Sequence, residues 1–294
     1  MVSVTVGRFA PSPTGELHVG NLRTAIAAWA STTSVGGDFL IRWEDLDHFN
    51  SSTDHVAAQL RDLSAVGVTT ERAPVTQSQR FDLYHEAINT LTERGLTYEC
   101  FCSRKDIRDA VSAPHGSVLV YPGTCRHLTD AQREQRRQER PGALRLLTNG
   151  VSETFRDYMR GEVTGIVDDV VLRRNDGIPS YNVAVVVDDA LQGVTEVVRG
   201  DDLLDITPTQ VHLQKLLGYN TPMYGHVPLV VGDDGERLAK RHGAVTLTEL
   251  AQRGISAAMV REVLWRSLGQ EAETWNWDAV PHTPWVTAWG HGKS

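Results

Sequence analysis

The feature that most constrains the fold is an apolar strand that leads through a proline-rich turn into an alanine-rich helix near the start of the chain. Residues 4–9 have the apolar pattern of a short buried strand, and residues 21–31 carry Ala, Leu and Ile at helical spacing. Residues 11–20 contain the prolines and glycines of the turn between them. A buried strand that runs directly into a helix is typical of α/β folds with a parallel sheet.

The same alternation continues along the chain. A second strand is predicted at residues 39–43, and amphipathic helices are predicted at residues 53–66 and 81–94. Later strands are predicted at residues 181–187, 195–198 and 227–231, a helix at 207–217, and two short helices within 248–268 broken at Gly254. The sequence therefore predicts an α/β protein whose doubly wound parallel sheet is flanked by helices.

The middle of the chain interrupts this pattern. Residues 99–178 contain all three cysteines and an arginine-rich stretch at 126–145, and they lack the regular alternation. We interpret them as an inserted α+β domain. Residues 1–98 and 179–232 are then the two halves of the sheet domain, and residues 233–294 form a loop and a short helical C-terminal region.

The composition predicts an ordinary globular protein of the cytoplasm. The chain has 294 residues, is 40% hydrophobic and carries a net charge of −8. This charge argues against indiscriminate nucleic-acid binding, although a local basic stripe could still contact a phosphate backbone. The first residues lack a basic start followed by an apolar stretch, and no apolar run approaches the roughly 20 residues that cross a bilayer. We therefore expect no membrane association.

The three cysteines form a candidate metal site. Cys100, Cys102 and Cys125 lie in one short stretch, and three cysteines cannot all pair in disulfides. Tetrahedral zinc takes Cys and His ligands, so a fourth position remains, for which His115 or His127 would be the default. The alternative is three buried free thiols, which the clustering disfavours. The site has no obvious base beside it, so we expect a structural role.

The turn at residues 8–21 has the character of a phosphate-binding loop. It sets prolines, two small hydroxyl residues and Gly15 before a His-Val-Gly-Asn sequence that opens a helix. The free N–H groups and the positive dipole end of that helix favour phosphate, Gly20 leaves room for a flat base, and His18 can donate a hydrogen bond. The alternative is that the glycines and prolines only shape a turn and that His18 is a cap.

A second candidate segment follows the last predicted strand. Residues 237–241 read Arg-Leu-Ala-Lys-Arg, directly after a glycine-bounded turn at 232–235. Clustered cations on a flexible loop can close over a triphosphate and stabilise departing pyrophosphate. The alternative is a solvated basic surface loop, which is what most such runs are.

In this order, the two segments resemble the paired signatures of class I aminoacyl-tRNA synthetases. Four stretches are similar to the glutamyl branch: RFAPSPTG at 8–15, RWEDLD at 42–47, VVDD at 186–189 and LAKRHGA at 238–244. Few residues follow Arg241, so we expect no anticodon-binding region like that of the long enzymes. Residues 15–18, 181–189 and 199–203 also look like the short paralogues, the glutamyl-queuosine tRNA(Asp) synthetases.

Two positions depart from the family pattern. Asn21 stands where Gly or Ser is common, which is a mild change at a helix start. Ala239 replaces the usual serine and removes a hydroxyl that could contact phosphate, whereas Lys240, the more important cation, is retained. We expect the protein to be active.

The resemblance implies a fold and a reaction. The fold is a Rossmann-like class I catalytic domain with an inserted zinc-bearing α+β domain and a short helical C-terminal region without an anticodon-binding domain. The reaction activates L-glutamate with ATP and its Mg²⁺ and then transfers glutamate to queuosine in the anticodon of tRNA(Asp). We expect the protein to be a monomer. Two alternatives are a conventional glutamyl-tRNA synthetase core with a separate anticodon reader and a non-catalytic paralogue. A third alternative, another nucleotidyltransferase of the HxGH type, is disfavoured because Asn21 stands in place of the second histidine and because the glutamate-pocket residues are present.

The resemblance also implies three sets of site residues. The ATP-binding set, with His18 and Lys240 as catalytic residues, is Pro11, Ser12, His18, Gly20, Asn21, Arg237, Leu238, Ala239, Lys240 and Arg241. The glutamate-binding set is Arg8, Phe9, Ala10, Pro11, Ser12, Glu44, Tyr181 and Arg199. The ligands of one structural zinc per chain are Cys100, Cys102, Tyr121 and Cys125.

The glutamate set has a physical basis, because free glutamate carries two carboxylates and one ammonium group. A selective pocket needs about two cations and one anion, with neutral donors that fix the orientation. Arg8 and Arg199 would bind carboxylates and Glu44 the ammonium, while Ser12 and Tyr181 would add hydrogen bonds. Without the family resemblance, Glu44 and Tyr181 would be taken as ordinary strand residues.

Overall fold

The structure is a computed structural model, and it describes residues 4–47, 50–103, 105–107, 121–232, 235, 238, 245–271, 274–287 and 289. In chain order the strands are β1 (Val6–Phe9), β2 (Asp38–Trp43), β3 (Val75–Thr76), β4 (Thr97–Cys100), β5 (Ala143–Leu146), β6 (Ser152–Asp157), β7 (Gly161–Ile166), β8 (Val171–Arg173), β9 (Glu196–Gly200), β10 (Met223–Val227), β11 (Val230–Val231) and β12 (Trp285–Val286). The α-helices are α1 (Val19–Ser34), α2 (Thr53–Ala65), α3 (Phe81–Glu93), α4 (Asp130–Glu139), α5 (Tyr181–Leu191), α6 (Thr207–Leu217), α7 (Leu247–Gln252) and α8 (Ala257–Ser267).

Parallel strands form the two halves of the main sheet. The first half has the order β1-β2-β3, and the second has the order β7-β6-β10-β9, in which β6, β10 and β9 are parallel and β7 is antiparallel. The halves meet where β1 lies beside β9, because the backbone N–H of Thr195 donates to the carbonyl of Val6 over 2.9 Å. The predicted mixed α/β architecture is confirmed.

The meeting of β1 and β9 creates the crevice that the fold offers to a ligand. From β1 the chain crosses through α1 to β2 on one side, whereas β9 lies on the other side and is reached much later in the sequence. Open α/β sheets bind ligands at such a switch point, outside the carboxyl ends of the strands. The first predicted strand and turn therefore lead directly to this crevice, and α1 begins at its edge.

Two predicted strands are wrong. The strand predicted at residues 227–231 is interrupted, because β10 ends at Val227, directly before Pro228, and β11 covers only Val230–Val231. Residues 181–187 were expected to form a strand but belong to helix α5, which runs from Tyr181 to Leu191. Its valines favour a strand by intrinsic propensity, but a short, continuous apolar run is equally compatible with a buried helix. Residues 183–187 are all buried in a core formed with α3 and α6, so burial on every side decides for the helix.

The irregular middle region contributes to two different sheets. Strands β4, β5 and β8 form a separate antiparallel sheet, while β6 and β7 join the main sheet through the pairing of β6 with β10. The domain limits predicted at residues 98, 178 and 232 remain predictions. The arginine-rich helix α4 has no buried residue, which fits a solvated helix face.

The C-terminal segment packs against the main sheet. Helices α7 and α8 lie close to the predicted positions, and Gly254 between them has the left-handed backbone, with φ of 76°, that favours glycine. Trp277 stacks on Tyr158 with ring centroids 4.6 Å apart, and its Nε1 donates to Ser31 Oγ over 3.2 Å. A side chain at Gly225 would overlap the Trp277 ring, so this glycine permits the contact. No helix within the described residues is long and apolar enough to cross a membrane.

Candidate active site

The crevice holds a cavity of about 500 Å³ at the carboxyl ends of β1 and β9 and at the start of α1. Its walls include all eight residues of the predicted glutamate set: Arg8, Phe9, Ala10, Pro11, Ser12, Glu44, Tyr181 and Arg199. They also include six residues of the predicted ATP set: Pro11, Ser12, His18, Gly20, Asn21 and Leu238. The other four, Arg237, Ala239, Lys240 and Arg241, lie outside the described residues. One cavity thus unites residues from segments far apart in the sequence.

The wall of the cavity rests on a buried ion-pair network centred on Asp189. One oxygen of Asp189 accepts hydrogen bonds from Arg42 Nη1 at 2.7 Å and from Arg8 Nε at 3.3 Å. Arg42 has no exposed side-chain surface, and it also lies 3.4 Å from Glu44 and 3.7 Å from Asp188. Since Arg8 is on β1, Arg42 on β2 and Asp189 on α5, the network ties two parallel strands to a helix behind them.

The same network gives the carboxyl groups different pKa values. Burial raises the pKa of Glu44 to about 7, although the charges of Arg42 and Arg8 act in the opposite direction. Burial also acts to raise the pKa of Asp189, but Arg8 and Arg42 outweigh it and hold that pKa below its usual range. Asp189 is therefore ionised at neutral pH, whereas the pKa of Glu44 lies close to neutral pH, so its charge responds to its surroundings. A cation that bound beside Glu44 would favour its charged form.

His18 caps helix α1 and faces the cavity at the same time. Its Nδ1 accepts hydrogen bonds from the backbone N–H groups of Gly20 at 3.1 Å and Asn21 at 3.3 Å. An accepting Nδ1 leaves the hydrogen of a neutral imidazole on Nε2, so that atom is a donor. Asn21 completes the cap, because its Oδ1 accepts from the backbone N–H of His18 at 3.2 Å. The cap and the donor, which the sequence offered as alternatives, are compatible in one side chain.

This cap explains why glycine and asparagine stand at positions 20 and 21. A Cβ at Gly20 would lie 2.9 Å from Cε1 of His18, so only glycine lets the ring fold back over the first turn. Asn21, the departure from the family pattern, supplies the side-chain half of the capping box.

Sequence reasoning missed the residues that lie behind Arg199. Arg199 Nε donates to Nε2 of His226 at 3.1 Å, and its Nη2 donates to Oγ1 of Thr207 at 2.8 Å. His226 in turn contacts Asp157, with 2.6 Å between Nδ1 and Oδ2. These residues come from three further segments, and the sequence carries no local signal that joins them.

The cysteine cluster forms away from the cavity. The sulfur atoms of Cys100, Cys102 and Cys125 lie within 4.8 Å of one another, and Tyr121 OH is 3.3 Å from Cys100 Sγ and 3.6 Å from Cys102 Sγ. The hydrogen bond between Cys100 and Cys125 lowers the pKa of Cys100 to about 4 and raises the pKa of Cys125. The cluster is compatible with zinc, which binds thiolates rather than thiols. His127 is not in the cluster, and His115 lies outside the described residues.

Comparison with known proteins identifies the family. The sequence matches the profile of the tRNA synthetases class I (E and Q) catalytic domain over residues 3–274. Glutamyl-Q tRNA(Asp) synthetase of Nocardia farcinica is 53% identical over 264 residues, which are 90% of this chain and 84% of that protein. A protein of the same name from Cutibacterium acnes is 48% identical over 266 residues, which are 90% of this chain and 76% of that protein.

A solved structure supports the fold. The crystal structure of a glutamate-tRNA synthetase from Elizabethkingia anophelis matches with a TM-score of 0.73 at 24% identity, and the match covers 94% of this chain and 65% of that one. The chain therefore belongs to the class I (E and Q) tRNA synthetase family, and within it to the glutamyl-Q tRNA(Asp) synthetases, as the sequence predicts.

The buried network predicts the effect of Asp189→Asn on stability. Without this negative charge, the positive charges of Arg42 and Arg8 are buried and only partly neutralised. We therefore expect the free energy of unfolding to fall by about 3–5 kcal/mol at pH 7. Because the pKa of Asp189 is lowered in the folded protein, its contribution is present above its unfolded pKa and is lost as the pH falls through the folded value. The difference between the two proteins should therefore shrink in acid.

Urea denaturation at several pH values measures this effect. The matched control is Asp176→Asn, since Asp176 pairs with Arg174 at 2.6 Å but both side chains are at least 40% exposed. That substitution should cost no more than about 1 kcal/mol. Equal losses for the two variants would contradict the importance assigned to the buried network.

Proposed function

We propose that this protein activates L-glutamate with ATP and transfers the glutamyl group to the queuosine base in the anticodon of tRNA(Asp). The observation that carries the proposal is the single cavity in which two buried arginines and a carboxylate of raised pKa adjoin a capped helix N-terminus. The acceptor follows from the relatives named glutamyl-Q tRNA(Asp) synthetase. We also propose that the protein acts in the cytoplasm, where tRNA is available.

The charges of the cavity suit glutamate. Arg8 and Arg199, which are 4% and 5% exposed, would bind carboxylates, and Glu44 would bind the ammonium group. Ser12 and Tyr181 would fix the orientation through hydrogen bonds. A neutral amide in place of the side-chain carboxylate would leave a buried arginine without its anion, so glutamine should be rejected.

The first chemical step is attack of the glutamate α-carboxylate on the α-phosphorus of ATP. It forms glutamyl-adenylate and releases pyrophosphate, and no protein nucleophile is needed. The N–H groups at the start of α1 and the donor Nε2–H of His18 would stabilise charge that develops on the phosphates. Mg²⁺ carried by ATP would neutralise phosphate charge, and Lys240 would contribute a further positive charge.

The second step transfers the glutamyl group. A hydroxyl of the queuosine cyclopentenediol attacks the acyl carbon, an ester forms and AMP leaves. An anticodon loop is a suitable acceptor, because its unstacked bases can extend into a cavity that a paired helix could not enter. The cavity is open at the carboxyl edge of the sheet, where such a base would approach.

We further propose that Cys100, Cys102, Tyr121 and Cys125 hold one structural zinc ion. Zn–S bonds of about 2.3 Å and a Zn–O bond of about 2.0 Å at tetrahedral angles put neighbouring ligand atoms about 3.5–3.8 Å apart. The separations of Tyr121 OH from the Cys100 and Cys102 sulfurs, and that of 3.6 Å between the Cys102 and Cys125 sulfurs, come near this range. None of the four residues lines the cavity, which favours a structural role.

The proposed acceptor predicts which tRNA is modified. With labelled glutamate and ATP, we expect transfer to tRNA(Asp) that contains queuosine and none to the same tRNA from cells that cannot make queuosine. Nuclease mapping should find the label on an anticodon nucleotide. Labelling of unmodified tRNA(Glu) at its terminal adenosine would instead favour a conventional synthetase.

Glutamate-dependent pyrophosphate exchange without tRNA tests activation separately, and its absence would favour a non-catalytic paralogue.

The raised pKa of Glu44 predicts a pH dependence of glutamate binding. Only the ionised form attracts an ammonium group, so affinity is full above the pKa of about 7 and is lost as the pH falls through it. Calorimetry without ATP should show affinity falling by about tenfold per pH unit below about pH 6. In Glu44→Gln the affinity should be low and nearly independent of pH over the same range. A wild-type affinity that stays constant down to pH 5 would be inconsistent with this role.

The proposed zinc site predicts the metal content of the purified protein. We expect about one equivalent of zinc, and treatment with a strong chelator should lower the melting temperature because the metal stabilises only the folded form. Cys102→Ser should reduce the zinc content, whereas Ser103→Ala, next to the cluster, should not. Metal analysis that finds almost no zinc in the wild-type protein would rule out the site.

A further inference from the structure

Arg199 differs from Arg8 in how its charge is held. Arg8 pairs directly with the carboxylate of Asp189, whereas the hydrogen bonds of Arg199 go to the imidazole of His226 and the hydroxyl of Thr207. Arg199 is nevertheless almost fully buried and lines the cavity. A buried guanidinium held by neutral acceptors favours an anionic ligand, and its orientation depends on the groups behind it.

The protonation state of His226 follows from its neighbours. The Nε of an arginine always carries hydrogen and cannot accept, so Nε2 of His226 must be the acceptor in the 3.1 Å contact. The hydrogen of the ring then lies on Nδ1, which donates to Oδ2 of Asp157 over 2.6 Å. Burial also lowers the pKa of His226, which favours the neutral ring. A charged imidazole would set a donor against the donor of Arg199.

Asp157 is itself fixed by the backbone. Its Oδ1 accepts from the N–H groups of Met159 at 2.8 Å and Arg160 at 3.1 Å, and its Oδ2 accepts from the N–H of His226 at 3.1 Å. Both side chains, Asp157 and His226, have no exposed surface. The carboxylate thus has no room to turn, and it fixes the tautomer and the plane of the imidazole.

The sheet register aligns the three groups across neighbouring strands. Arg199 on β9 and His226 on β10 are directly paired positions of the parallel ladder. The next contact crosses to β6, which ends at Asp157 and pairs with β10 at Tyr224. The rigid order β6, β10, β9 therefore carries a chain of hydrogen bonds from a fixed carboxylate to the guanidinium at the cavity.

We propose that His226 is a positioning residue, held by Asp157, which orients Arg199 for the substrate carboxylate. The Nε contact with His226 and the Nη2 contact with Thr207 fix the guanidinium plane and leave Nη1 for the ligand. This inference rests on the proposed glutamate site. It makes the affinity for the substrate depend on Nε2 of His226, an acceptor atom that does not touch the substrate.

Two substitutions separate the contact of Nδ1 with Asp157 from the contacts of Nε2, which lies 3.1 Å from both Arg199 Nε and Thr207 Oγ1. In His226→Gln, the amide oxygen can take the place of Nε2 and accept from Arg199, but the donor to Asp157 is lost. In His226→Asn, the shorter amide can still donate to Asp157 but does not reach Arg199. Each variant loses the contacts of one ring nitrogen and keeps those of the other, so we expect similar melting temperatures.

Pyrophosphate exchange should then distinguish the variants. We expect His226→Asn to raise the KM for glutamate by roughly 10- to 100-fold, the effect of losing a hydrogen bond to a charged group. The KM for ATP should change by less than about twofold, because the helix start is untouched, and His226→Gln should remain within about threefold of the wild type for both substrates. Equal rises in glutamate KM for both variants, or a parallel rise in the KM for ATP, would overturn the proposal.

A measurement without substrate separates this inference from the proposed function. In proton–nitrogen NMR of isotope-labelled protein, a slowly exchanging arginine Nε–H signal should be lost in Arg199→Lys, which assigns it. The signal should persist in His226→Gln and exchange rapidly in His226→Asn. Rapid exchange in the wild type would overturn the positioning role even if the protein were active. A protected signal in a protein without glutamate-dependent exchange would count only against the proposed function.

Discussion

The rest of the site depends on the ion pairs that the carboxylate of Asp189 makes with Arg8 and Arg42. Two arginines from adjacent parallel strands point into the protein, and a guanidinium without a partner there would be costly. Asp189 lies between them and accepts a hydrogen bond from each. The position of Arg8 at the cavity follows from this arrangement, whereas burial raises the pKa of Glu44 and the charges of Arg42 and Arg8 offset that effect only in part. The cavity is therefore the exposed side of an ion-pair network whose centre is buried.

The two arginines of the cavity have different kinds of partner. Arg8 already has a carboxylate partner, whereas Arg199 is bound by neutral side chains and keeps its full positive character toward the cavity. A dicarboxylate would thus meet one compensated and one uncompensated cation. The pKa of the nearby Glu44 is about 7, so a cation bound beside it would favour its negatively charged form. The charges along the cavity wall thus suit a ligand that carries groups of both signs.

The sequence predicts some of this structure and misses the rest for identifiable reasons. The strand, turn and helix at the start of the chain follow from local pattern, and the cavity residues follow from a family resemblance that depends on contiguous stretches. Helix α5 was missed because its valine run has no periodicity that separates a buried helix from a buried strand. The partners of the cavity residues were missed because no local rule connects Arg42 to Asp189, which are 147 positions apart, or Arg199 to His226. Long-range pairs of this kind become visible only when the strands are in register.

The contact between Trp277 and Gly225 has a consequence for the cavity. The indole lies against the backbone of β10 at the residue immediately before His226, and it also stacks on Tyr158, the residue immediately after Asp157. One tryptophan from the C-terminal segment, which does not line the cavity, thus braces both strands that hold the Asp157–His226 pair. The packing of the C-terminal segment and the position of the Asp157–His226 pair behind Arg199 are therefore mechanically coupled.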